Sequence, residues 1–183
     1  MAQKYLEISD SIKEFIETQK IFFVGTATSD SKVNISPKGM DSLRVLKKNR
    51  VIWLNVTGSG NETSAHIQVN PRMTLMFMAL EGKPMILRLY GQANVIHKKD
   101  AEWENLISMF PEIPAARQIF DVRIELVQTS CGMAVPYFDY IEDREQLNNL
   151  HTKIGEEKVS EYWKEKNQYS IDGIPSNIVD KSH

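Results

Sequence analysis

The chain is short of several things at once. It has one cysteine, Cys131, in 183 residues, so neither an internal disulfide nor a multi-thiolate zinc site can form, and a reducing compartment is expected. It has no excess of charge of one sign: Lys+Arg 22 against Asp+Glu 24 gives a net charge of −2, which supplies no domain-wide positive field for nucleic acid or an anionic membrane. It has no long apolar run, since residues 73–80, the most hydrophobic stretch, fall far below the roughly 20 residues that cross a bilayer. Charges within Met1–Ile8 interrupt the place where a secretory leader needs its apolar core. A soluble, cytoplasmic protein without nucleic-acid or membrane partners is expected. The four histidines, His66, His97, His151 and His183, are scattered, with no His-Glu-x-x-His and no acidic cluster at ligand spacing, so no metal centre is expected. There is no Gly-x-Ser-x-Gly elbow, and a lone thiol such as Cys131 reads as a buried, inert one before it reads as a nucleophile. With no convincing acid, base or nucleophile, the catalytic residues stay unassigned and the inventory points to a cofactor that brings its own reactivity.

What is present is a clear order of elements. Ile8, Ile12, Phe15 and Ile16 recur at spacings of three and four, with Ser9 or Ser11 available as a cap, which predicts an amphipathic helix. Ile21–Thr28 and Lys32–Ser36 flank Ser29-Asp30-Ser31 and predict a hairpin. A polar stretch from Pro37 to Arg50 reads as a connection, and Val51–Asn55 as a short buried strand. Thr63–Val69 is a short helix ended by Asn70-Pro71. Arg72–Leu80 and Met85–His97 form a second hairpin around Glu81-Gly82-Lys83-Pro84, and hairpins make antiparallel pairs. Asp100–Phe110 is helical. Phe120, Val122, Ile124 and Leu126 alternate with polar residues as a half-buried strand does. Beyond Pro136, Glu142–Gln168 predicts two helices broken at Gly155, then Ser170–Pro175 has turn chemistry and a polar tail follows. The expected architecture is one α+β domain over residues 1–183, with an antiparallel barrel over about 20–135 and a helical extension over about 140–183.

One local feature suggests a ligand. The loop Val56-Thr57-Gly58-Ser59-Gly60-Asn61-Glu62 joins a strand to the helix at Thr63, and helix N-termini present unpaired N–H groups to anions. Asn61 or Thr63 can cap this helix; an ordinary turn before a capped helix is the equally available reading. A dinucleotide-binding crossover does not fit, because Thr63 stands at the third glycine position and a hairpin follows instead of a parallel strand. No Gly-Lys-Ser/Thr ends the loop, so it is not a Walker loop. A phosphate also calls for cationic donors, and Lys38, Arg72 and Arg88 are candidates. Arg88 interrupts an apolar strand and needs a partner if it faces inward; the plainer reading has it outward.

These segments resemble a known family. Phe23-Val24-Gly25-Thr26-Ala27, Val33-Asn34-Ile35-Ser36-Pro37-Lys38-Gly39, Val51-Ile52-Trp53-Leu54-Asn55, Thr57-Gly58-Ser59-Gly60-Asn61-Glu62-Thr63, Asn70-Pro71-Arg72 and Leu87-Arg88-Leu89-Tyr90-Gly91 are similar, in order, to the pyridoxamine 5′-phosphate oxidase-like FMN-binding split-barrel proteins. Ser130–Pro136 and Asn167-x-x-Ser170-Ile171-Asp172-Gly173 resemble later motifs of one branch. The resemblance implies a six-stranded antiparallel split β-barrel with flanking helices, working as a homodimer with FMN at the interface. It also implies that Asn34, Ile35, Ser36 and Lys38 line the flavin, that Trp53 and Leu54 lie against its ring, and that Asn61, Glu62, Thr63 and Arg88 belong to the cofactor site. Where the true oxidases have Ser-Arg-Lys gripping the phosphate, this chain has Asn61-Glu62-Thr63. The basic, His-containing C-terminal motif that holds pyridoxal phosphate there is Ser170–Pro175 here, so pyridoxamine phosphate oxidation is not implied. The expected activity is oxidation or reduction of a small molecule through the flavin N5. A flavin carrier or sensor without turnover and a reductase using the deazaflavin F420 are the alternatives.

Overall fold

The computed structural model describes residues 2–182; His183, among the histidines named above, lies outside them. The chain runs β1 (Gln3–Tyr5), α1 (Asp10–Thr18), β2 (Phe22–Thr26), β3 (Asn34–Lys38), β4 (Leu43–Lys47), β5 (Arg50–Val56), α2 (Glu62–Val69), β6 (Arg72–Met78), β7 (Ile86–His97), α3 (Trp103–Ile107), β8 (Ala116–Ser130), α4 (Gln146–Lys166) and α5 (Ile178–Ser182). The sheet is antiparallel throughout its pairings, in the order β3-β2-β6-β7-β8-β5-β4, with β1 also on β8. It is the split barrel of the expectation, with eight strands in place of six. The two additions were hard to read: β1 is three exposed residues, and β4 lies inside the polar Pro37–Arg50 stretch, where Leu43 and Val45 pair with Trp53 and Val51 despite the surrounding charge. Among the described residues, no helix is long and apolar enough to cross a membrane.

Ser9 caps α1, its Oγ accepting from the Ile12 N–H at 3.3 Å, and Ile12 and Ile16 turn inward. The barrel interior is filled by Val24, Trp53, Leu75, Leu89, Phe120 and Val122, with Trp53 and Phe120 stacked at 4.4 Å between ring centroids. β5 is buried on both faces: Trp53 points into the barrel, while Ile52 and Leu54 pack with Trp103, Leu106 and Phe110 from the α3 side. That double burial is why the strand reads as a continuous apolar run.

The alternation expected along β8 holds from Phe120 to Ile124 and then slips. Opposite β7 the register shifts between Tyr90 and Gly91, which pair with Leu126 and Ile124 and leave Glu125 as an extra residue. The bulge inverts the side-chain parity, so Val127 is fully buried where Leu126 was expected to be. Gly91 permits it: a Cβ there would stand 2.2 Å from the Arg123 carbonyl oxygen. In α4, Gly155 has φ 78° and ψ 167°, the break that the sequence predicts between two helical segments.

Candidate functional site

Alternation along β3 sends Asn34, Ser36 and Lys38 to one side of the sheet and Ile35 to the other. The first three face a cavity of about 620 Å³ walled by the 56–62 loop, Thr63 at the start of α2, Asn55 and Val56 at the end of β5, and Arg117 at the head of β8. Ile171, from the C-terminal segment, stands at its edge. Of the residues predicted for a cofactor, Asn34, Ser36, Lys38, Asn61, Glu62 and Thr63 meet here. Ile35 is 67% exposed on the reverse face, in a separate cavity of about 500 Å³ with Phe23, Met73 and Met76.

Other expected residues stand elsewhere in the structure. The Trp53 and Leu54 side chains lie in the two apolar cores, 0% and 1% exposed, because both faces of β5 are covered; that strand reaches the cavity through Asn55 and Val56. Arg88 is half-buried on β7, where its Nη1 donates to the Ser130 hydroxyl at 3.3 Å, and it does not line the cavity. Arg72 likewise belongs to the reverse side. His66 is fully buried with Nδ1 3.2 Å from the Thr26 hydroxyl, and the Cys131 thiol, expected buried, is exposed.

The cation that the sequence reading missed is Arg117. It is 3% exposed, and no carboxylate pairs with it among the described residues. Its guanidinium is held by amide oxygens instead: Nη1 donates to Asn167 Oδ1 at 2.6 Å, and Nε and Nη2 lie 3.1 and 3.2 Å from the Asn55 amide oxygen when that oxygen is turned towards them. Burial lowers its pKa to about 9. Lys38 stands beside it without a carboxylate partner among the described residues; its Nζ lies 5.3 Å from the centroid of the Trp53 ring. Desolvation first, and then the field of Arg117, lowers the lysine pKa to about 8. No spacing rule announces Arg117, because it lies two residues beyond Ala115 in a segment that gives no strand signal before Phe120.

Neutral donors in the same cavity are also unsatisfied. Asn61 occupies the N-cap position of α2 yet makes no side-chain capping bond; it is 2% exposed, and neither its Oδ1 nor its Nδ2 has a partner among the described residues. The buried Ser36 hydroxyl is in the same state. Thr63 accepts from Asn34 Nδ2 at 3.2 Å. Glu62 lines the same cavity at its Ile171 edge, both carboxylate oxygens accepting from the Ile171 N–H at 3.1 Å. A buried and a half-buried cation, with orphaned polar groups on β3 and at the N-terminus of α2, call for a polar occupant,. An anion rich in oxygen acceptors satisfies the two cations, the Ser36 hydroxyl and the Asn61 Nδ2 donor,.

Comparison with known proteins agrees with this architecture. The family model described as pyridoxamine 5′-phosphate oxidase matches residues 8–131. The pyridoxamine 5′-phosphate oxidase family protein ustO of Aspergillus flavus is 31% identical over 189 positions, covering 93% of this chain and 76% of that protein. Among solved structures, a candidate pyridoxamine 5′-phosphate oxidase from Lactobacillus delbrueckii superposes with a TM-score of 0.55 at 19% identity, over 67% of this chain and 94% of its own. The FAD binding protein from Mycobacterium smegmatis does so with a TM-score of 0.50 at 12% identity, over 68% and 97%; at such identities the likeness speaks for the fold alone. With a family model across residues 8–131 and a relative above 30% identity along nearly its whole length, this chain belongs to the pyridoxamine 5′-phosphate oxidase family.

Proposed function

We propose that the protein binds FMN in the cavity between β3, the 56–62 loop and Arg117, with the phosphate over the N-terminus of α2. The observation that carries this reading is the pair of carboxylate-free cations, the buried Arg117 and the half-buried Lys38, in one cavity with the orphaned amide of Asn61. Flavin binding is common in the family to which the chain belongs, which makes a flavin phosphate the anion of choice. Lys38 and Arg117 take over the charge compensation that the Ser-Arg-Lys run gives the true oxidases. The backbone amides and hydroxyl at Thr63, with Asn61, donate to phosphate oxygens; Asn34 and Ser36 extend the polar wall along β3.

Bound FMN supplies hydride and electron chemistry at N5, and on this reading the protein is an oxidoreductase for a small molecule. Its working unit is a homodimer: Val33 and Ile35, 71% and 67% exposed at the edge of the site, are apolar surface that a second copy would cover. The exposed Cys131 thiol suits a reducing cytoplasm,.

Purified protein is expected to be yellow, or to take up FMN on reconstitution with a rise in melting temperature. Colourless protein with no thermal shift in excess FMN overturns the reading. Bound flavin that no nicotinamide donor reduces would favour the carrier or sensor, and preferential binding of F420 in competition with FMN would favour the deazaflavin enzyme.

A further inference from the structure

The motif at residues 167–173 lies outside every core strand, yet Ile171 lines the cavity and Asn167 and Asp172 bond residues that do. Asn167 is 0% exposed at the C-terminal end of α4. Its Oδ1 accepts from Arg117 Nη1 at 2.6 Å, and its Nδ2 donates to the Gly58 carbonyl at 3.1 Å. One amide therefore ties the buried cation to the loop at the helix N-terminus. Asn167 is itself fixed: its backbone carbonyl accepts from Ser176 Oγ at 2.5 Å, and the Ser176 carbonyl accepts from Ser64 Oγ of α2 at 3.0 Å.

Between Asn167 and Ser176 the chain makes a tight turn, with Tyr169 bridged to Pro175 and Gly173 at φ 77°. The tip of this turn grips the mouth of the cavity twice. The Ile171 N–H donates to the Glu62 carboxylate at 3.1 Å, which fixes that carboxylate at the Ile171 edge of the cavity. Asp172 takes the Lys32 ammonium at 2.7 Å and the Lys32 backbone N–H at 2.9 Å, linking the turn to the β2–β3 connection.

We propose that Asn167 is a positioning residue for Arg117 and that the Tyr169–Pro175 turn is a clasp over the same cavity, so that an anionic ligand is retained as a resident cofactor instead of exchanging like a substrate. The proposal rests on the anion-binding reading of the cavity. Asn167 acts through the guanidinium and does not need to touch the ligand. The clasp contacts are exposed and individually weak, which suits an element that opens to load the cofactor and then slows its escape.

The test uses the full chain, with inorganic phosphate and FMN as separate probes. Asn167→Asp keeps an acceptor for Arg117 but sets a carboxylate against it and removes the donor to Gly58. The expected result is a loss of phosphate affinity of about tenfold or more, with a melting temperature close to that of the parent. The pH above which phosphate affinity declines should also move upward, because the new carboxylate offsets the field of Arg117 on Lys38; a purely structural role leaves that profile in place. Unchanged phosphate affinity with an unmoved profile overturns the assignment of Asn167. If Asn167→Asp does not fold, Asn167→Gln carries the same measurement, with a partial loss expected. For the clasp, Asp172→Asn should speed FMN release by about fivefold or more while changing association less; equal release rates overturn it. Parent protein that binds phosphate but not FMN defeats the flavin reading and leaves Asn167 to be judged on phosphate alone. Parent protein that binds neither overturns both.

Discussion

One five-residue strand divides two cavities of similar size and opposite chemistry. On one side of β3, Asn34, Ser36 and Lys38 share about 620 Å³ with Arg117 and the head of α2; on the other, Ile35 shares about 500 Å³ with Phe23, Met73 and Met76. The first is organised by charge without countercharge, the second by apolar surface left open. The difference teaches how a strand with a two-residue period separates a cavity lined by cations from an open, mostly apolar one without needing a second element,.

The contrast can be broken most strongly from the charged side. Lys38→Ala combined with Thr63→Val removes a charge-assisted donor and a neutral one, and should lower FMN affinity by about a hundredfold or more, read by fluorescence titration. Unchanged affinity would mean that the phosphate is held elsewhere.

Gly91→Ala attacks the apolar side. It lines the second cavity and drives a Cβ against the Arg123 carbonyl at 2.2 Å, so the bulge must shift at a cost of about 1–3 kcal/mol. Thermal denaturation should register a drop of about 3–10 °C. Flavin affinity measured well below the transition should change little, since the bulge lies across the sheet from Lys38.

Acidity gives an effect of intermediate size confined to the first cavity. Lys38 is lowered from 10.5 to about 8 by burial and by Arg117, so the folded, ligand-free protein holds that proton less tightly than the unfolded chain does. Between about pH 8 and 10.5 the unfolded state binds more protons, and the lysine's contribution therefore makes the apo protein more stable as pH rises through this window. The anion prefers the protonated amine, so phosphate affinity should move the opposite way and decline as pH passes about 8. Paired melting and binding curves check both signs, and parallel trends would contradict the placement of Lys38. The smallest effect is expected from Ile35→Ser, which should leave FMN affinity within about twofold while weakening self-association in analytical ultracentrifugation. A large loss of flavin would show that the two sides are not independent.

Legibility in the sequence followed the range of the interactions. The hairpins and α1 announce themselves because period, turn chemistry and cap all lie within a few neighbours, and Asn34, Ser36, Lys38 and Thr63 followed from local motifs. Arg117 did not, because what makes it distinctive is burial without a carboxylate and a bond to Asn167, fifty residues away. The resemblance alone sets Trp53 against the flavin ring, and only the coverage of both faces of β5 assigns its side chain to the core. Leu126 was lost to a single extra residue, which no periodicity anticipates. β4 hid because its apolar residues, Leu43, Val45 and Leu46, are only half-buried and stand beside Arg44 and Lys47.

The pairing of β5 with β8 has a consequence during synthesis. Val51, Ile52, Trp53 and Leu54 are completely or almost completely buried in the finished protein, yet their long partner, Ala116–Arg123, is translated some sixty residues later. At about 5–20 residues per second, the nascent chain carries this apolar strand for several seconds with only the β4 hairpin beside it. The vulnerable moment for this protein is therefore on the ribosome. A slow codon run or a pause placed between the two strands should cost yield through aggregation without altering the stability of any molecule that completes its fold.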